Sequence, residues 1–254
     1  MKRHTLTYVI LILAFNCFGQ KTDDSIKARK YKVMAIDKIK LKDYQIAKAY
    51  LDTAIMLDKK YDLAYYNRGT LAIFTENYKS ALKDFNIAIK LNPNDIEYYY
   101  NRGRANYKLQ KYSSAFKDFD KVISVQPNIA IVYSFRGSAS DQLKKWENAL
   151  ADFSKAIELD SLNSEKYADR AMVKLKLKDN IGAELDCEKG FILDTSRVNT
   201  GLLLYLRGLA RMAITGKETI GKQDIIDAAK LGYQEAIDVL DKLMVTKIII
   251  PKDQ

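Results

Sequence analysis

Small residues return along this chain with a fixed spacing of 34 positions. One series is Ala35, Gly69, Gly103, Gly137 and Ala171, and a second, 12 residues later, is Ala47, Ala81, Ala115, Ala149 and Ala183. Apolar residues around them recur at steps of three and four, as Ala81, Phe85 and Ala88 do, which indicates amphipathic helices. Two small residues in each period predict two helices that approach closely, in a unit that repeats along the chain.

Large side chains keep the same period. An aromatic residue opens each first helix (Tyr31, Tyr65, Tyr99, Tyr133, Tyr167), another lies at the turn (Tyr44, Tyr78, Tyr112, Trp146), and a bulky residue fills the second helix (Leu51, Phe85, Phe119, Phe153). This pattern resembles the tetratricopeptide repeat, a helix–turn–helix unit of 34 residues. The resemblance implies an all-α fold, a superhelix (α-solenoid) of antiparallel helix pairs with a C-terminal capping helix.

The repeat boundaries follow from the same pattern. Residues 28–197 form five repeats, which are 28–61, 62–95, 96–129, 130–163 and 164–197. Residues 20–27 lead into them, residues 198–245 form a degenerate sixth repeat with the capping helix, and residues 246–254 form a tail. In the fifth repeat Cys187 replaces the bulky residue and Gly190 replaces an alanine, so we expect looser packing there.

Arginine and aspartate also recur in step. Each first helix after the opening repeat carries an arginine and each second helix an aspartate: Arg68, Arg102, Arg136, Arg170 and Arg207 with Asp84, Asp118, Asp152, Asp186 and Asp224. The first repeat lacks both and has Met34 and Tyr50. Joint presence and absence favour a pair inside each repeat over one that bridges neighbours. Such pairs fix helix register better than they add stability.

The N-terminus has the pattern of a secretory signal peptide. Lys2 and Arg3 precede an apolar run from Tyr8 to Phe15, and Gly19 ends the segment. The run is shorter than the roughly 20 residues that span a bilayer. We therefore expect residues 1–19 to be cleaved and a bacterial protein to be exported, periplasmic or secreted. The alternatives are an uncleaved anchor and an outer-membrane lipoprotein lipidated at Cys17, although Asn16 before it departs from the usual lipobox.

Candidate chemistry is sparse. The chain has one histidine, His4, and two cysteines, Cys17 and Cys187. Without residues 1–19 it would have no histidine and one cysteine, which excludes a histidine-based triad, a Cys/His zinc site and an internal disulfide. We see no glycine-rich phosphate loop either. The sequence therefore predicts no enzyme, no cofactor and no metal site.

The resemblance also implies a binding surface. In this family the first helices line a concave groove that holds a peptide or a partner's helix, so we predict a non-catalytic scaffold for protein–protein interaction. The predicted partner-binding residues are Tyr66, Asn67, Thr70, Tyr100, Asn101, Arg104, Tyr107 and Phe135. A net charge of +10 favours an acidic partner. The alternative is binding of an acidic polymer or glycan; no nucleic acid is expected, and the oligomeric state stays open.

Overall fold

A computed structural model describes residues 23–249, with side chains up to residue 242, as helices joined by short turns, with no strand in that range. The chain divides into two compact units at Val125. The first unit has α1 (23–40), α2 (Tyr44–Leu57), α3 (Asp62–Phe74), α4 (Tyr78–Leu91), α5 (Ile96–Lys108) and α6 (Tyr112–Val125). The predicted leader, residues 1–19, lies outside the described residues.

The second unit begins at Gln126 and continues the same alternation. Its helices are α7 (Ala130–Gln142), α8 (Trp146–Leu159), α9 (Ser164–Lys176), α10 (Asn180–Leu193), α11 (Thr200–Met212), α12 (Glu218–Lys230) and α13 (Gln234–Ile249). Successive helices pack against each other within each unit. The prediction of an all-α fold built from antiparallel helix pairs is confirmed. Between residues 23 and 249, no helix combines the length and the apolar character that crossing a bilayer requires.

A left-handed residue makes the reversal within each of the helix pairs from α1–α2 to α9–α10. Lys42, Glu76, Gln110, Lys144 and Lys178 have φ between 56° and 63°. At Glu76 the turn is closed by the Asn77 amide, which donates to the Ala72 carbonyl across 2.7 Å. The Asn77 side chain then caps α4 by accepting from the Ser80 amide. Since three residues suffice for the reversal, the second helix must run back along the first.

The small residues allow the two helices of each pair to approach closely, as their spacing predicts. A β-carbon added at Gly69 would lie 2.8 Å from Cε1 of Phe85, and one at Gly103 would lie 2.8 Å from Cε1 of Phe119. Where the first helix carries alanine instead, its partner is smaller, as Ala35 and Leu51 show in their shared core cluster. A glycine on the first helix is thus matched by phenylalanine on the second, and an alanine by leucine, so that the two side chains together fill the same space.

The expectation of looser packing in the fifth repeat is wrong. Cys187 is fully buried, and so is Leu203, which comes from the next helix, α11. A β-carbon at Gly190 would lie 2.7 Å from Cδ2 of Leu203. The volume that Cys187 and Gly190 give up is thus filled by a side chain of the following repeat.

The arginine–aspartate pairs form inside the repeats, as predicted. Arg102 donates through Nε and Nη2 to the carboxylate of Asp118, and its shortest contact is 2.6 Å. A neighbour-bridging contact also exists, which the sequence argument had rejected. Nη1 of Arg102 donates to Asn86 across 2.8 Å, and Nη1 of Arg68 donates to Asp52 across 2.7 Å. The acceptor in the preceding repeat varies in residue type, so no periodic signal revealed it.

Candidate functional site

Seven of the predicted partner-binding residues lie on α3 and α5 in the first unit, and these two helices are in contact. Tyr66 and Thr70 are four residues apart on α3, and Tyr100 and Arg104 are four apart on α5, so each pair shares one side of its helix. We call this surface the α3–α5 face; it comprises Tyr66, Asn67, Thr70, Tyr100, Asn101, Arg104 and Tyr107.

Tyr66 joins the two repeats. The centroid of its ring is 5.0 Å from that of Tyr98 and 6.1 Å from that of Phe85. Its hydroxyl accepts from Nδ2 of Asn101 across 3.2 Å. Burial, followed by the charge of Glu97, raises the pKa of Tyr66. Its phenol therefore stays protonated at neutral pH, and its ring is held in place by aromatic packing on two sides.

Asn101 is buried, with 4% of its surface exposed. Besides the Tyr66 hydroxyl, its Nδ2 donates to the Glu97 carbonyl across 3.0 Å. Its Oδ1 accepts from Nη1 of Arg104 across 3.1 Å. Both ends of the amide are engaged internally, so Asn101 orients Tyr66 and Arg104 and offers no free amide to a ligand.

Asn67 occupies the same repeat position as Asn101 but has another environment. It is only partly buried, and its Nδ2 donates to the Leu63 carbonyl across 2.6 Å. Its Oδ1 has no hydrogen-bond donor among the residues that the structure describes. Nearby, the Thr70 hydroxyl donates to the Tyr66 carbonyl across 2.9 Å and keeps its acceptor capacity. Asn67 and Thr70 thus present oxygen acceptors on α3.

Arg104 is the cation of this face. Its guanidinium lies 5.7 Å from the centroid of the Tyr100 ring, and only Nη1 is used, toward Asn101. The Tyr100 ring packs edge-on against Phe119 at 6.4 Å, and burial raises the pKa of Tyr100. Nε and Nη2 of Arg104 have no acceptor in the described part of the chain. A positioned guanidinium with two free donors suits a carboxylate.

Tyr107 lies one turn beyond Arg104 on α5. Its ring meets the Tyr112 ring at 5.4 Å in an edge-to-face arrangement. Tyr112 begins α6, so this contact ties the end of α5 to the next helix. Tyr107 thereby extends the aromatic surface toward the turn.

Sequence reasoning missed Tyr98 as part of this site. Its ring lies under Tyr66 and is 1% exposed, and its hydroxyl donates to Oδ2 of Asp62 across 2.8 Å. Burial, followed by the bond to Asp62, raises the pKa of Tyr98. The available signal was the run of three tyrosines from Tyr98 to Tyr100, which departs from the other repeats.

Phe135 belongs to the second unit. It lies on α7, where it is partly buried beside Ser134 and Arg136 in the chain. The α3–α5 face is defined within the first unit, and Phe135 stays a separate prediction.

The described residues offer little catalytic chemistry. From 23 to 249, no three His, Cys, Asp or Glu side chains are grouped so that they could hold a metal ion. The Cys187 thiol is fully buried, and burial raises its pKa to about 12. A buried thiol that stays protonated at neutral pH is a poor nucleophile.

Comparison with known families identifies the repeats. The family described as "TPR repeat" matches residues 75–110, and the family described as "Tetratricopeptide repeat" matches residues 96–129. Residues 75–129 therefore match the tetratricopeptide repeat, and the same helix-pair pattern continues on both sides of them. Together the matches cover α4 to α6 and their turns, where the 34-residue pattern is most regular in this sequence. A search of curated proteins finds no match.

Several solved structures share the fold. MamA from Desulfovibrio magneticus RS-1, from residue 41 onward, is 22% identical, with a TM-score of 0.65 over 68% of this chain and 97% of that one. Pseudomonas aeruginosa pilF is 16% identical, with a TM-score of 0.66 over 84% and 97%. YrrB, described as a TPR protein with an unusual peptide-binding site, is 20% identical, with a TM-score of 0.62 over 68% and 88%. At these identities the likeness shows the fold alone.

Proposed function

We propose that this protein is a non-catalytic scaffold that binds a peptide or protein partner on the α3–α5 face. The observation that carries the proposal is the link from Tyr66 through Asn101 to Arg104, which crosses two repeats. These side chains are already ordered by internal contacts, so binding does not have to fix them. Preorganisation of this kind reduces the entropic cost of association.

The chemistry of the face defines the partner. The rings of Tyr66 and Tyr100 offer apolar area, and aromatic residues and arginine are the usual anchors of binding surfaces. Asn67 and Thr70 supply oxygen acceptors for a peptide N–H. Arg104 supplies two free donors for a carboxylate. The partner is therefore an extended segment with an apolar side chain next to Asp, Glu or a terminal carboxylate. YrrB, similar in fold, is described as having a peptide-binding site.

The alternative ligand is an acidic polymer or glycan. Some exposed lysines are paired with a carboxylate on their own helix, such as Lys48 with Asp52 and Lys230 with Asp227. Others, such as Lys79 and Lys90, are exposed and have no ion-pair partner among the described residues. Paired charges contribute little to a positive field. A polyanion would need a continuous row of unpaired cations.

The proposed scaffold acts outside the cytoplasm. Residues 1–19 have the order of a charged segment, an apolar run and a small residue, which is typical of a cleaved leader. Mass spectrometry of the protein from fractionated cells tests this. The expected mature chain begins at Gln20 and carries no lipid, whereas a chain that begins at a lipidated Cys17 or retains Met1 would contradict cleavage after Gly19.

Affinity capture from envelope extracts with the chain from Gln20 onward tests the binding face. The segment of the captured partner that binds is then titrated against Arg104→Glu and against a control, Lys90→Glu. Lys90 is exposed in the last turn of α4 and is not one of the α3–α5 face residues. We expect Arg104→Glu to weaken binding at least about tenfold, since it replaces an attraction with a repulsion. Equal affinity of both variants and the wild type would overturn the proposal.

A further inference from the structure

A cavity of about 450 Å³ opens in the first unit between α2 and α4, above α3. Its floor includes Leu71 and Ala72 of α3, and its walls include Tyr44 of α2 and Ile87 of α4. We call it the α2–α4 cleft. None of the α3–α5 face residues lines it, so it is a separate surface. Its volume lies in the range of small-molecule sites, about 300–1,000 Å³.

The next repeat has a corresponding cleft that is filled differently. It is about 320 Å³ in volume and includes Arg102, Asn106 and Asp118. Asn106 is buried, and its Nδ2 donates to Oδ2 of Asp118 across 2.9 Å. Thirty-four residues earlier, Ala72 stands at the position of Asn106. Because alanine has no amide, the equivalent space above Asp84 stays open and apolar.

Other repeats also fill this position. Lys174 pairs with Asp186 at 2.8 Å, and Arg211 pairs with Asp224 at 2.9 Å. Asp84 has no such second donor at the position of Ala72. Instead, Nε and Nη2 of Arg68 donate to its two carboxylate oxygens at 2.8 and 2.7 Å. The carboxylate under the α2–α4 cleft is therefore neutralised by its own arginine.

Of the described cations that line the cleft, one has no partner within the described chain. Lys48 is exposed and paired with Asp52 at 2.8 Å. Arg68 is engaged by Asp84 and Asp52. Lys83 lines the cleft, is exposed, and has no hydrogen-bond or ion-pair partner among the described residues. An ammonium group at the edge of an apolar floor is complementary to an anion with an apolar body.

We propose that the α2–α4 cleft binds a small organic anion, an aromatic or medium-chain aliphatic carboxylate or sulfonate. Its apolar body lies on Leu71, Ala72 and Ile87, and its anionic group pairs with Lys83. An uncharged apolar molecule would lack the ion pair with Lys83 and should bind more weakly. This site goes beyond the proposed scaffold function, because it uses other residues on another side of the first unit.

The test uses 8-anilinonaphthalene-1-sulfonate as the probe, titrated into the chain from Gln20 onward by isothermal calorimetry, with octanoate and octan-1-ol as competitors. Ala72→Asn introduces the residue of the next repeat, and we expect it to lower probe affinity at least about tenfold. Lys83→Gln should lower affinity about threefold to tenfold and remove the preference for octanoate over octan-1-ol. Lys79→Gln, an exposed change on α4 outside the cleft, is the matched control and should bind like the wild type.

A second measurement keeps the proposal testable if Ala72→Asn fails to fold. Amide chemical shifts of the wild-type chain, recorded during the probe titration, should change around Ala72 and Ile87 and not around Tyr100 and Arg104. Shifts confined to the α3–α5 face would overturn the assignment. So would a folded Ala72→Asn variant with unchanged affinity, or equal competition by octanoate and octan-1-ol.

Discussion

The ring of Phe85 lies across the α-carbon of Gly69, so close that a β-carbon on residue 69 would be 2.8 Å from Cε1. We expect Gly69→Ala to lower the free energy of unfolding by about 1 kcal/mol. Overpacking costs about 1–3 kcal/mol and outweighs the roughly 1 kcal/mol that alanine gains in helix propensity. Urea denaturation followed by circular dichroism measures the change.

A double variant supplies the control for this prediction. Gly69→Ala combined with Phe85→Leu reproduces the Ala35 and Leu51 pair of the first repeat. We expect Phe85→Leu to be less harmful in the presence of Gly69→Ala than alone, with a coupling of at least about 0.5 kcal/mol. Strictly additive effects would show that the two positions do not share the space that the structure assigns to them.

Removal of one arginine should cost far more than removal of a surface lysine. Arg102→Ala leaves the buried carboxylate of Asp118 with Asn106 as its remaining side-chain donor. Breaking a buried pair in this way costs about 3–5 kcal/mol. Lys230→Ala, which removes an exposed pair with Asp227, should cost less than about 1 kcal/mol. Thermal melts of both variants measure the difference; similar melting temperatures would contradict a structural role for Arg102.

Asp169 should make the free energy of unfolding fall as the pH rises from 4 to 7, the opposite of the usual effect of a carboxylate. Burial, followed by the charges of Glu165 and Asp141, raises its pKa to about 7. The unfolded chain loses this proton near pH 4, whereas the folded chain keeps it until about pH 7. The contribution of Asp169 is therefore fully present below pH 4 and is lost as pH rises to 7.

Asp169→Asn isolates that effect. The variant cannot ionise, so we expect it to be more stable than the wild type at pH 8, with a melting temperature about 2–4 °C higher. The gain should shrink as the pH falls toward 4. A gain that is independent of pH would mean that Asp169 does not titrate in this range; carboxyl-carbon NMR of the wild type gives the midpoint directly.

Ser140 is fully buried, and its hydroxyl has no hydrogen-bond partner within the described chain. An unsatisfied buried polar group costs about 1–3 kcal/mol. We expect Ser140→Ala to leave the free energy of unfolding unchanged or to raise it by about 1 kcal/mol. Ser138→Ala serves for comparison, because its hydroxyl donates to the Ser134 carbonyl across 2.9 Å. A loss of more than about 1 kcal/mol on Ser140→Ala would point to a partner for the hydroxyl.

The fold was predictable because steric contact sets it. The ring of Phe85 occupies the space that a side chain on Gly69 would need, and both residues belong to one repeat. The requirement for a small residue therefore recurs every 34 positions and is visible in a single sequence. The turns were less visible. Glu76 and Gln110 adopt positive φ, yet neither residue type signals a left-handed conformation. Their geometry is imposed by the helix pairs that they join.

The binding face was only partly predictable, because its contacts cross from one repeat to the next. Periodicity assigned Asn67 and Asn101 the same role. The side-chain amide of Asn101 donates to the Tyr66 hydroxyl on α3 and accepts from Arg104, one turn later on α5. Both of these bonds are internal to the protein. At the place of Arg104, the earlier repeat has Thr70, whose hydroxyl turns to its own helix instead. The position of a residue within the repeat therefore determines whether a side chain facing the core is buried. It does not determine which hydrogen-bond partners a side chain on the outer surface has.

The fourth residue after the arginine of each repeat is a position at which this chain can accept substitutions during evolution. Ala72, Asn106, Ser140, Lys174 and Arg211 differ in size and charge at this place, while the helices around them keep the same arrangement. At Asp84 the arginine binds both carboxylate oxygens by itself, so a second donor at this place is not required. One codon change at this place can therefore widen or narrow a cleft between neighbouring helices while the helix pair keeps its arrangement.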